Sequence, residues 1–359
     1  MDQKKLNEII DLFDVDAKIK PYGNGHINDT YLCGGDGSGY ILQRINTDVF
    51  KNPDEVMENI VRVTSFLRDK IAANGGDVDR ETMTVIPTKK GESFLRTEDG
   101  CFRMYTFVQN TYSAETVENN KQLFEAGKAF GRFQKMLDDF PMEGLHETIV
   151  NFHVTPERVK QLEEALEINF ENRAETCKEE IATAKKYAVY ADKIVEAIRK
   201  GEIPLRVTHN DTKLNNVLLD RITDEGVCVI DLDTVMPGSL LYDYGDALRF
   251  GASSGTEDER DLSKIWFDLD KFRAFSEGFL GEVGTCLTPK EREYLPLSAL
   301  MMTYECGIRF LADYLKGDTY FKVHRPGHNL DRARTQLKLV CDIESKFGDM
   351  KAIVDSILG

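Results

Sequence analysis

The sequence predicts an α+β fold with two lobes, a β-rich N-terminal lobe followed by a mainly helical C-terminal lobe. Over the first 108 residues, short β-prone runs alternate with glycine-containing turns. Beyond that point, apolar residues recur mostly at helical spacing, and one short strand–turn–strand unit interrupts the pattern. We therefore predict lobes at 1–108 and 109–359, with the cleft between them as the expected ligand site.

The β-prone runs of the first lobe are short and end at turn residues. They cover 31–33, 40–45, 84–87, 93–96 and 102–108. A helix is expected between them, because Asn52 precedes Pro53 at a first helical turn and apolar residues follow at helical spacing. The charged N-terminus, MDQKKLNEIIDLFDVD, has the pattern of an amphipathic helix rather than a signal peptide.

Amphipathic spacing predicts most of the second lobe. The expected helices cover 123–137, an antiparallel pair within 157–200, 268–281, 289–316 and 331–357. The strand–turn–strand unit is expected at 216–219, 220–226 and 227–230.

Composition and charge limit the possible partners. With 359 residues, 41% apolar and 30% charged, the chain has the balance of a soluble globular protein. The net charge of −16 disfavours nucleic-acid binding, and no run approaches the ~20 apolar residues that a membrane helix needs. The seven cysteines are scattered without a C-x-x-C pair, which disfavours a zinc site or a disulfide framework. We expect a cytoplasmic monomer whose partners are small molecules.

The stretch VTHNDTKLNNVLLD, at 207–220, places many polar residues between two apolar runs. Phosphoryl transfer needs a carboxylate that accepts the proton of the nucleophile, together with oxygen ligands for Mg²⁺. Asp211 is the candidate base. Asn216 and Asp231 are the candidate metal ligands, because the hairpin returns the chain to the level of Asn216.

Three neighbouring residues complete this constellation. Lys213 is either a point charge for the γ-phosphate or a solvated side chain, and His209 is expected to brace the loop. Asp233 points the same way as Asp231 on an extended segment, so it is expected to contact metal or substrate, or to brace the loop.

Asp243 and Asp246 are expected to cap a helix that begins near Gly245 or to hydrogen-bond the loop.

Candidate nucleotide contacts lie in the first lobe. Gly23 and Gly25 partly match the phosphate loop G-x-G-x-x-G, with Asn28 in place of the third glycine. Gln43 or Arg44 is expected to contact phosphate, and they face opposite sides of a strand.

The strand that ends the first lobe is the candidate adenine contact. Tyr105, Phe107 and Val108 lie at its end, where the backbone is placed to bind the base of ATP.

Five segments carry a resemblance to a known family. They are PYGNGHINDTYL, YILQRIN, LRVTHNDTKLNNVLLD, IDLDTVMPGSLLYDYGDALRFGAS and ECGIRFLADYLKGDTYF. Together they resemble the aminoglycoside phosphotransferase and choline kinase superfamily, which has a protein-kinase-like fold. Within it the sequence is most similar to the N-acetylhexosamine 1-kinases, over nearly the whole chain. One departure is Gln43, where many superfamily members have Lys or Arg.

The resemblance implies a reaction and a substrate site. It implies ATP- and Mg²⁺-dependent phosphorylation of the anomeric C1 hydroxyl of N-acetylglucosamine or N-acetylgalactosamine. Asp211 would be the base on O1, and His26, Arg309 and Tyr320 would contact the sugar. From the residues alone, a surface pair of Arg309 with Asp313 at i+4 explains Arg309 almost as well. Tyr320 is a pocket wall or a packing residue.

Two other functions remain open from the sequence. The first keeps the chemistry and changes the acceptor to an amino alcohol, homoserine or an aminoglycoside. The second is a nucleotide-binding pseudokinase that acts as a regulatory module.

Overall fold

An antiparallel β-sheet region and a large helical region make up the fold, which confirms the predicted α+β class. The computed structural model describes residues 1–23, 27–35 and 38–359. The chain forms two compact units, which we call unit 1 and unit 2. Unit 1 contains 1–114, 136–150 and 215–237, and unit 2 contains 115–135, 151–214 and 238–359. Neither unit is continuous in sequence, and the division at residue 108 stays a prediction.

Eleven strands are found in the described ranges. They are β1 (Ile19–Pro21), β2 (Asp29–Gly35), β3 (Ser38–Ile45), β4 (Val85–Ile86), β5 (Leu95–Thr97), β6 (Gly100–Thr106), β7 (Thr111–Ser113), β8 (Arg206–Thr208), β9 (Val217–Asp220), β10 (Gly226–Val229) and β11 (Met236–Gly238). The main sheet has the order β1-β2-β3-β6-β4, with β5 also paired to β6. A second sheet has the order β10-β9-β7. The predicted strands and hairpin are confirmed, except that β6 ends at Thr106 and not at Val108. Strands β1, β7, β8 and β11 were not predicted.

The register of the main sheet assigns its two faces. Leu42 pairs with Met104 and Tyr31, and this face packs against the N-terminal helix to form an apolar core. One residue further along, Gln43 pairs with Thr30 and Arg103, so these three side chains share the opposite face.

Twelve α-helices are found in the same ranges. They are α1 (Gln3–Asp11), α2 (Pro53–Ala73), α3 (Val78–Glu81), α4 (Asn120–Met136), α5 (Thr155–Ile168), α6 (Lys178–Tyr187), α7 (Lys193–Arg199), α8 (Leu240–Gly251), α9 (Leu269–Val283), α10 (Pro289–Leu315), α11 (His328–Ser345) and α12 (Phe347–Leu358). The predicted helix with proline in its first turn is α2.

Three helix predictions need correction. The region 157–200 contains α5, α6 and α7 rather than one pair, because Asn169 takes a left-handed conformation (φ 40°) and ends α5. The region 331–357 divides into α11 and α12 at Lys346. Helix α8 begins before Gly245, since the Ser239 hydroxyl accepts the Leu241 N–H, and both candidate capping aspartates lie inside the helix.

Glycines allow two helices of unit 2 to pack closely. A Cβ on Gly127 of α4 would lie 2.3 Å from the Phe275 carbonyl oxygen of α9. A Cβ on Gly278 of α9 would lie 2.0 Å from the Phe124 oxygen of α4. The backbones of α4 and α9 therefore touch at a crossing where no larger side chain fits.

Two further features are the hydropathy of the helices and the state of the cysteines. In the part of the chain that the structure describes, no helix combines the length and the apolar character required to cross a membrane. All seven cysteines are free thiols, and four of them are buried: Cys33, Cys101, Cys177 and Cys228.

Candidate active site

The segment that carries the candidate base is held by a buried carboxylate. Asp243 on α8 accepts the main-chain N–H of His209 at 2.9 Å and of Asn210 at 2.7 Å. Its own carbonyl oxygen accepts the Thr212 hydroxyl at 2.6 Å, and Gln134 of α4 also donates to its carboxylate. Burial raises the pKa of Asp243, although these donors oppose the rise. Asp243 therefore bonds the loop, one of the two structural roles predicted for it.

His209 supports the same loop from inside unit 2. Its ring is fully buried and contacts Phe130 and Phe133 edge-on, with centroids 5.6 and 6.1 Å away. Its Nδ1 accepts the Asp211 N–H at 3.2 Å. These contacts give His209 the position of a brace.

Asp211 and Lys213 form an ion pair. Lys213 Nζ lies 2.8 Å from Oδ1 and 3.1 Å from Oδ2 of Asp211, whose side chain is 23% exposed. Burial alone would raise the pKa of Asp211, but the charge and the hydrogen bond of Lys213, together with the charge of Arg249, hold that pKa below its usual value. The carboxylate is thus kept in the ionised form that a base requires.

A second carboxylate of α8 also bonds the loop. Asp246 Oδ2 accepts the Thr212 N–H at 3.1 Å, while Oδ1 pairs with Arg249 Nε at 3.0 Å. Arg249 in turn contacts Glu257 at 2.9 Å. This chain of ion pairs fixes Asp246 at the loop.

A buried network that we did not predict holds the Asn210 carbonyl. His153 Nε2 contacts that oxygen at 3.0 Å, and Nδ1 contacts Glu305 at 2.8 Å. The Thr155 hydroxyl donates to the other Glu305 oxygen at 2.7 Å. Burial would lower the pKa of His153, but the Glu305 charge raises it, so the ring can donate from both nitrogens. The sequence feature that could have indicated this network is Glu305, a glutamate within an apolar stretch of a predicted helix.

Arg309 lies between aromatic rings. Its guanidinium carbon is 5.7 Å from the Phe152 ring centre and 5.5 Å from that of Phe321. The alternative pair with Asp313 is wrong, because Asp313 is buried and accepts the N–H groups of Tyr320 at 2.8 Å and Phe321 at 2.9 Å. Within the described residues, no carboxylate forms an ion pair with Arg309.

Tyr320 projects from the loop that Asp313 holds. Its side chain is 66% exposed, and its ring touches Phe321 edge-on at 4.8 Å. Asp313 therefore shapes the loop, and the ring of Tyr320 is left exposed.

The candidate metal ligands lie on the hairpin of unit 1. Strands β9 and β10 pair antiparallel, and the Ile230 N–H donates to the Asn216 carbonyl oxygen at 2.9 Å. Asp231 follows directly in a left-handed conformation (φ 62°). The hairpin therefore returns Asp231 to the level of Asn216, as the spacing predicted. Carboxylate and amide oxygens are the donors that Mg²⁺ prefers, so this pair fits the ion.

Asp233 is buried inside unit 1. Its Oδ2 accepts from Asn28 Nδ2 at 2.7 Å, and its carboxylate forms an ion pair with Arg103. The Thr148 hydroxyl donates to its carbonyl oxygen at 3.0 Å. This arrangement favours a brace over a direct substrate contact.

The two candidate phosphate contacts of β3 lie on different faces. Gln43 Oε1 accepts from Arg103 Nε at 3.1 Å and Nη2 at 2.9 Å. Arg44 lies on the face that packs against α1, and it pairs with Asp29 across 3.6 Å. Arg44 is therefore separated from the buried polar cluster around Gln43.

The residues at the end of β6 offer groups that suit a nucleotide. The Phe107 N–H bonds the Gly39 oxygen at 3.0 Å, whereas the Val108 N–H has no partner among the described residues. The buried Tyr105 hydroxyl is likewise without a hydrogen-bond partner in the described ranges. Gly23 has a positive φ of 70°, and Gly25 and His26 lie outside the described residues. The main-chain donor at Val108 fits the predicted adenine contact.

A phosphotransferase needs an oriented carboxylate and oxygen ligands for a divalent ion. In this chain, the loop with Asp211 leads directly into the hairpin with Asn216 and Asp231. Residues 18–275 match the phosphotransferase enzyme family known as APH. That match covers more than half of the chain, and the protein belongs to this family.

Solved structures with the same fold extend over almost the full chain. The aminoglycoside phosphotransferase of Alicyclobacillus acidocaldarius has a TM-score of 0.63 and 14% identity, covering 98% of this chain and 96% of that chain. A spectinomycin phosphotransferase solved with ADP and spectinomycin has a TM-score of 0.55 and 15% identity, covering 99% and 98%. A microcompartment-associated aminopropanol kinase has a TM-score of 0.58 and 14% identity, covering 98% and 99%. At these identities the likeness confirms the kinase-like fold.

Proposed function

We propose that this protein transfers the γ-phosphoryl group of ATP to the anomeric C1 hydroxyl of an N-acetylhexosamine. The acceptor would be N-acetylglucosamine or N-acetylgalactosamine, and the product the sugar 1-phosphate. The observation that carries the proposal is Asp211, an ionised carboxylate in a loop whose backbone is fixed by hydrogen bonds to His209, Asp243 and Asp246.

In the proposed reaction, the O1–H group gives its proton to Asp211 while O1 forms a bond to the γ-phosphorus. The bond from that phosphorus to the β–γ bridging oxygen breaks and releases ADP. An anomeric hydroxyl is more acidic than an ordinary alcohol, so an aligned carboxylate suffices as base. Lys213 is the cation assigned to the charge on the transferred group.

Asn216 and Asp231 are the residues that would hold Mg²⁺. When bound, the ion would neutralise charge on the β- and γ-phosphates. The nucleotide seen in the spectinomycin phosphotransferase, ADP, is the expected second product here.

The surroundings of Arg309 support a neutral acceptor rather than a cationic one. A guanidinium that pairs with no carboxylate among the described residues repels an ammonium group, and the adjacent aromatic rings suit the apolar face of a sugar. His26, Arg309 and Tyr320 are the proposed sugar contacts. The similarity to an aminopropanol kinase makes an amino alcohol the alternative acceptor.

An acceptor panel in a coupled ADP-release assay tests the proposal. We expect turnover with N-acetylglucosamine or N-acetylgalactosamine and none with their methyl glycosides, which lack the C1 hydroxyl. Homoserine, choline, 1-amino-2-propanol and an aminoglycoside form the cationic arm. Strong activity in that arm and none with acetamido sugars would refute the sugar assignment. Nucleotide binding without phosphorylation of any acceptor would favour the pseudokinase.

Arg309→Met tests the acceptor contact separately. Methionine keeps the apolar stem and removes the charged hydrogen-bond donors. We expect the KM for the sugar to rise at least ~10-fold, the effect of losing a hydrogen bond to a charged group, while the KM for ATP stays within a factor of two. Equal KM values for the sugar in the wild-type protein and in Arg309→Met would exclude Arg309 from the acceptor site.

A further inference from the structure

A buried ion pair joins the main sheet to the turn that follows the candidate metal ligand Asp231. The side chains of Arg103 on β6 and Asp233 are 1% and 3% exposed. Taking two charges out of water is costly, and such a pair stabilises a fold no better than apolar side chains of similar size. The pair is therefore better explained by the geometry that it fixes.

Each nitrogen of the Arg103 guanidinium faces a defined partner. Nε and Nη2 donate to Gln43 Oε1, while Nη1 faces Asp233 and the Met57 sulfur of α2. The guanidinium carbon also lies 5.3 Å from the ring centre of Tyr105. With its side chain 1% exposed, Arg103 is held inside unit 1 and does not present its charge to a ligand.

The turn itself has several further anchors. Asn28 Nδ2 donates to Asp233 at 2.7 Å, and the Thr148 hydroxyl donates to the Asp233 carbonyl at 3.0 Å. Asn59 of α2, fully buried, donates to the Val235 oxygen at 2.9 Å. Asp231 lies two residues before Asp233. Its backbone has a left-handed conformation (φ 62°), which residues other than glycine adopt uncommonly. The anchors thus fix the segment on one side of Asp231, and the hairpin fixes the other side.

We propose that Arg103 is a positioning residue for the metal ligand Asp231 and acts through Asp233. The Arg103–Asp233 pair sets where the turn begins and thereby aims the Asp231 carboxylate. The inference rests on the proposed function in one respect, that Asp231 binds the divalent ion. It assigns Arg103 no contact with nucleotide, metal or acceptor.

The test measures binding of Mn²⁺ with ADP by calorimetry, in the absence of any acceptor. In Arg103→Met, we expect the Mn²⁺ dissociation constant to rise at least ~10-fold, the usual effect of losing a residue that orients a metal ligand. The Mg²⁺ concentration for half-maximal turnover should rise by a similar factor, while the KM for the acceptor changes less than twofold. Arg103→Lys, which cannot reach both partners, should be intermediate.

Two further variants separate positioning from folding. Arg103→Met combined with Asp233→Leu removes both buried charges, so we expect Tm to recover relative to Arg103→Met while Mn²⁺ binding stays weak. Thr148→Val removes the hydrogen bond to the Asp233 carbonyl oxygen from a residue outside the candidate phosphate loop, and should weaken Mn²⁺ binding about threefold or more. It keeps the proposal testable if Arg103→Met does not fold.

Arg334→Met is the matched control, because it breaks an ion pair with Glu180 on helices of unit 2. It should lower Tm without changing Mn²⁺ binding. A lower Tm with wild-type Mn²⁺ affinity in Arg103→Met would overturn the positioning role and leave the proposed function intact. Absence of Mn²⁺–ADP binding in the wild-type protein would instead overturn the metal assignment itself, and the inference with it.

Discussion

At the scale of single residues, the proposed chemistry depends on how Asp211 is kept charged and aligned. Its main-chain N–H is held by His209, and its carboxylate is paired with Lys213. Two carboxylates of α8, Asp243 and Asp246, accept N–H groups on either side of it. The proposed base is therefore oriented by its backbone, and little would have to be reorganised when a substrate binds.

Replacing Asp211 by asparagine tests its role as base. Asparagine keeps the shape of the side chain but cannot accept the proton of an acceptor hydroxyl. We expect kcat to fall at least ~10²-fold, the lower range for a positioned acid–base group, and ADP affinity to stay nearly unchanged. Steady-state assays and calorimetry measure the two quantities. The exposed Asp192→Asn is the control, and near-normal kcat in Asp211→Asn would exclude the assigned role.

Lys213 provides a prediction of pH dependence. Burial pushes the pKa of Asp211 up, and Lys213 is the nearest charge that pulls it down. In Lys213→Met that opposition is lost, so the pKa rises and a larger share of Asp211 is protonated at mildly acidic pH. The acidic limb of the pH profile of kcat/KM should therefore move to higher pH. The exposed Lys193→Met should leave the limb in place; a limb unmoved in Lys213→Met as well would argue that Lys213 does not tune the base.

Sequence reasoning at this scale succeeded for residues of one continuous segment. The spacing of Asn216 and the hairpin placed Asp231 at the level of Asn216, because an antiparallel hairpin returns the chain alongside itself, even with the β-bulge between Gly226 and Cys228. It missed His153 and Glu305, which are 152 positions apart and meet only through packing. It also missed Arg103, since an arginine in a β-prone run looks like an exposed residue until its neighbours are known.

At the scale of elements, helices α4 and α8 form the support of the loop. Helix α8 supplies Asp243, and α4 supplies Gln134 together with the Phe130 ring against His209. Of the two roles expected for Asp243 and Asp246, hydrogen bonding to the loop is confirmed. The other role, capping α8, is wrong because Ser239, a good N-cap residue, lies upstream and starts the helix earlier. The aspartates are thereby placed inside the helix, facing the loop.

The contact of α4 with α9 should be sensitive to a single methyl group. A Cβ on Gly127 would lie 2.3 Å from a main-chain oxygen, so Gly127→Ala forces the two helices apart. We expect a loss of about 1–3 kcal/mol in the free energy of unfolding, as for other overpacked cores, measured by urea denaturation. Gly281→Ala on α9 is the matched control, because a Cβ added there would have no neighbouring atom within 4 Å among the described residues.

The expected effect of that control has the opposite sign. Alanine is favoured over glycine by up to ~1 kcal/mol within a helix, so Gly281→Ala should be neutral or stabilising. Equal stability of the two variants would mean that α4 and α9 do not pack closely in solution.

At the scale of the whole molecule, the α+β class and the order of elements were predictable because apolar periodicity reports helices and strands directly. The composition of the two units was not. Residues 215–237 follow the helices in sequence but belong to unit 1, where β9 pairs with β7 and Thr111 lies opposite Asp220. Periodicity identifies an element without identifying its partner, so a division at one point of the chain was the simplest prediction.

With a net charge of −16, the protein would need a metal ion to bind an anionic nucleotide well. ATP is an anion that the protein's overall field repels, and a divalent ion on Asn216 and Asp231 would neutralise part of that repulsion. Because a ligand that binds only the folded state stabilises it, Mg²⁺ with ATP at about 100 times its dissociation constant should contribute about 2.7 kcal/mol. We expect Tm to rise by a few degrees, measured by calorimetry.

Removing the metal should remove most of that rise. With excess EDTA, ATP should produce a clearly smaller shift, and activity should return when Mg²⁺ is added back. Asp231→Asn is the matched variant, because asparagine tolerates the left-handed conformation at this position (φ 62°) and lacks the negative charge. Its Tm without ligand should stay close to wild type while the Mg²⁺-dependent part of the shift disappears. A full shift by ATP in EDTA, or in Asp231→Asn, would place the metal elsewhere or make it dispensable for nucleotide binding.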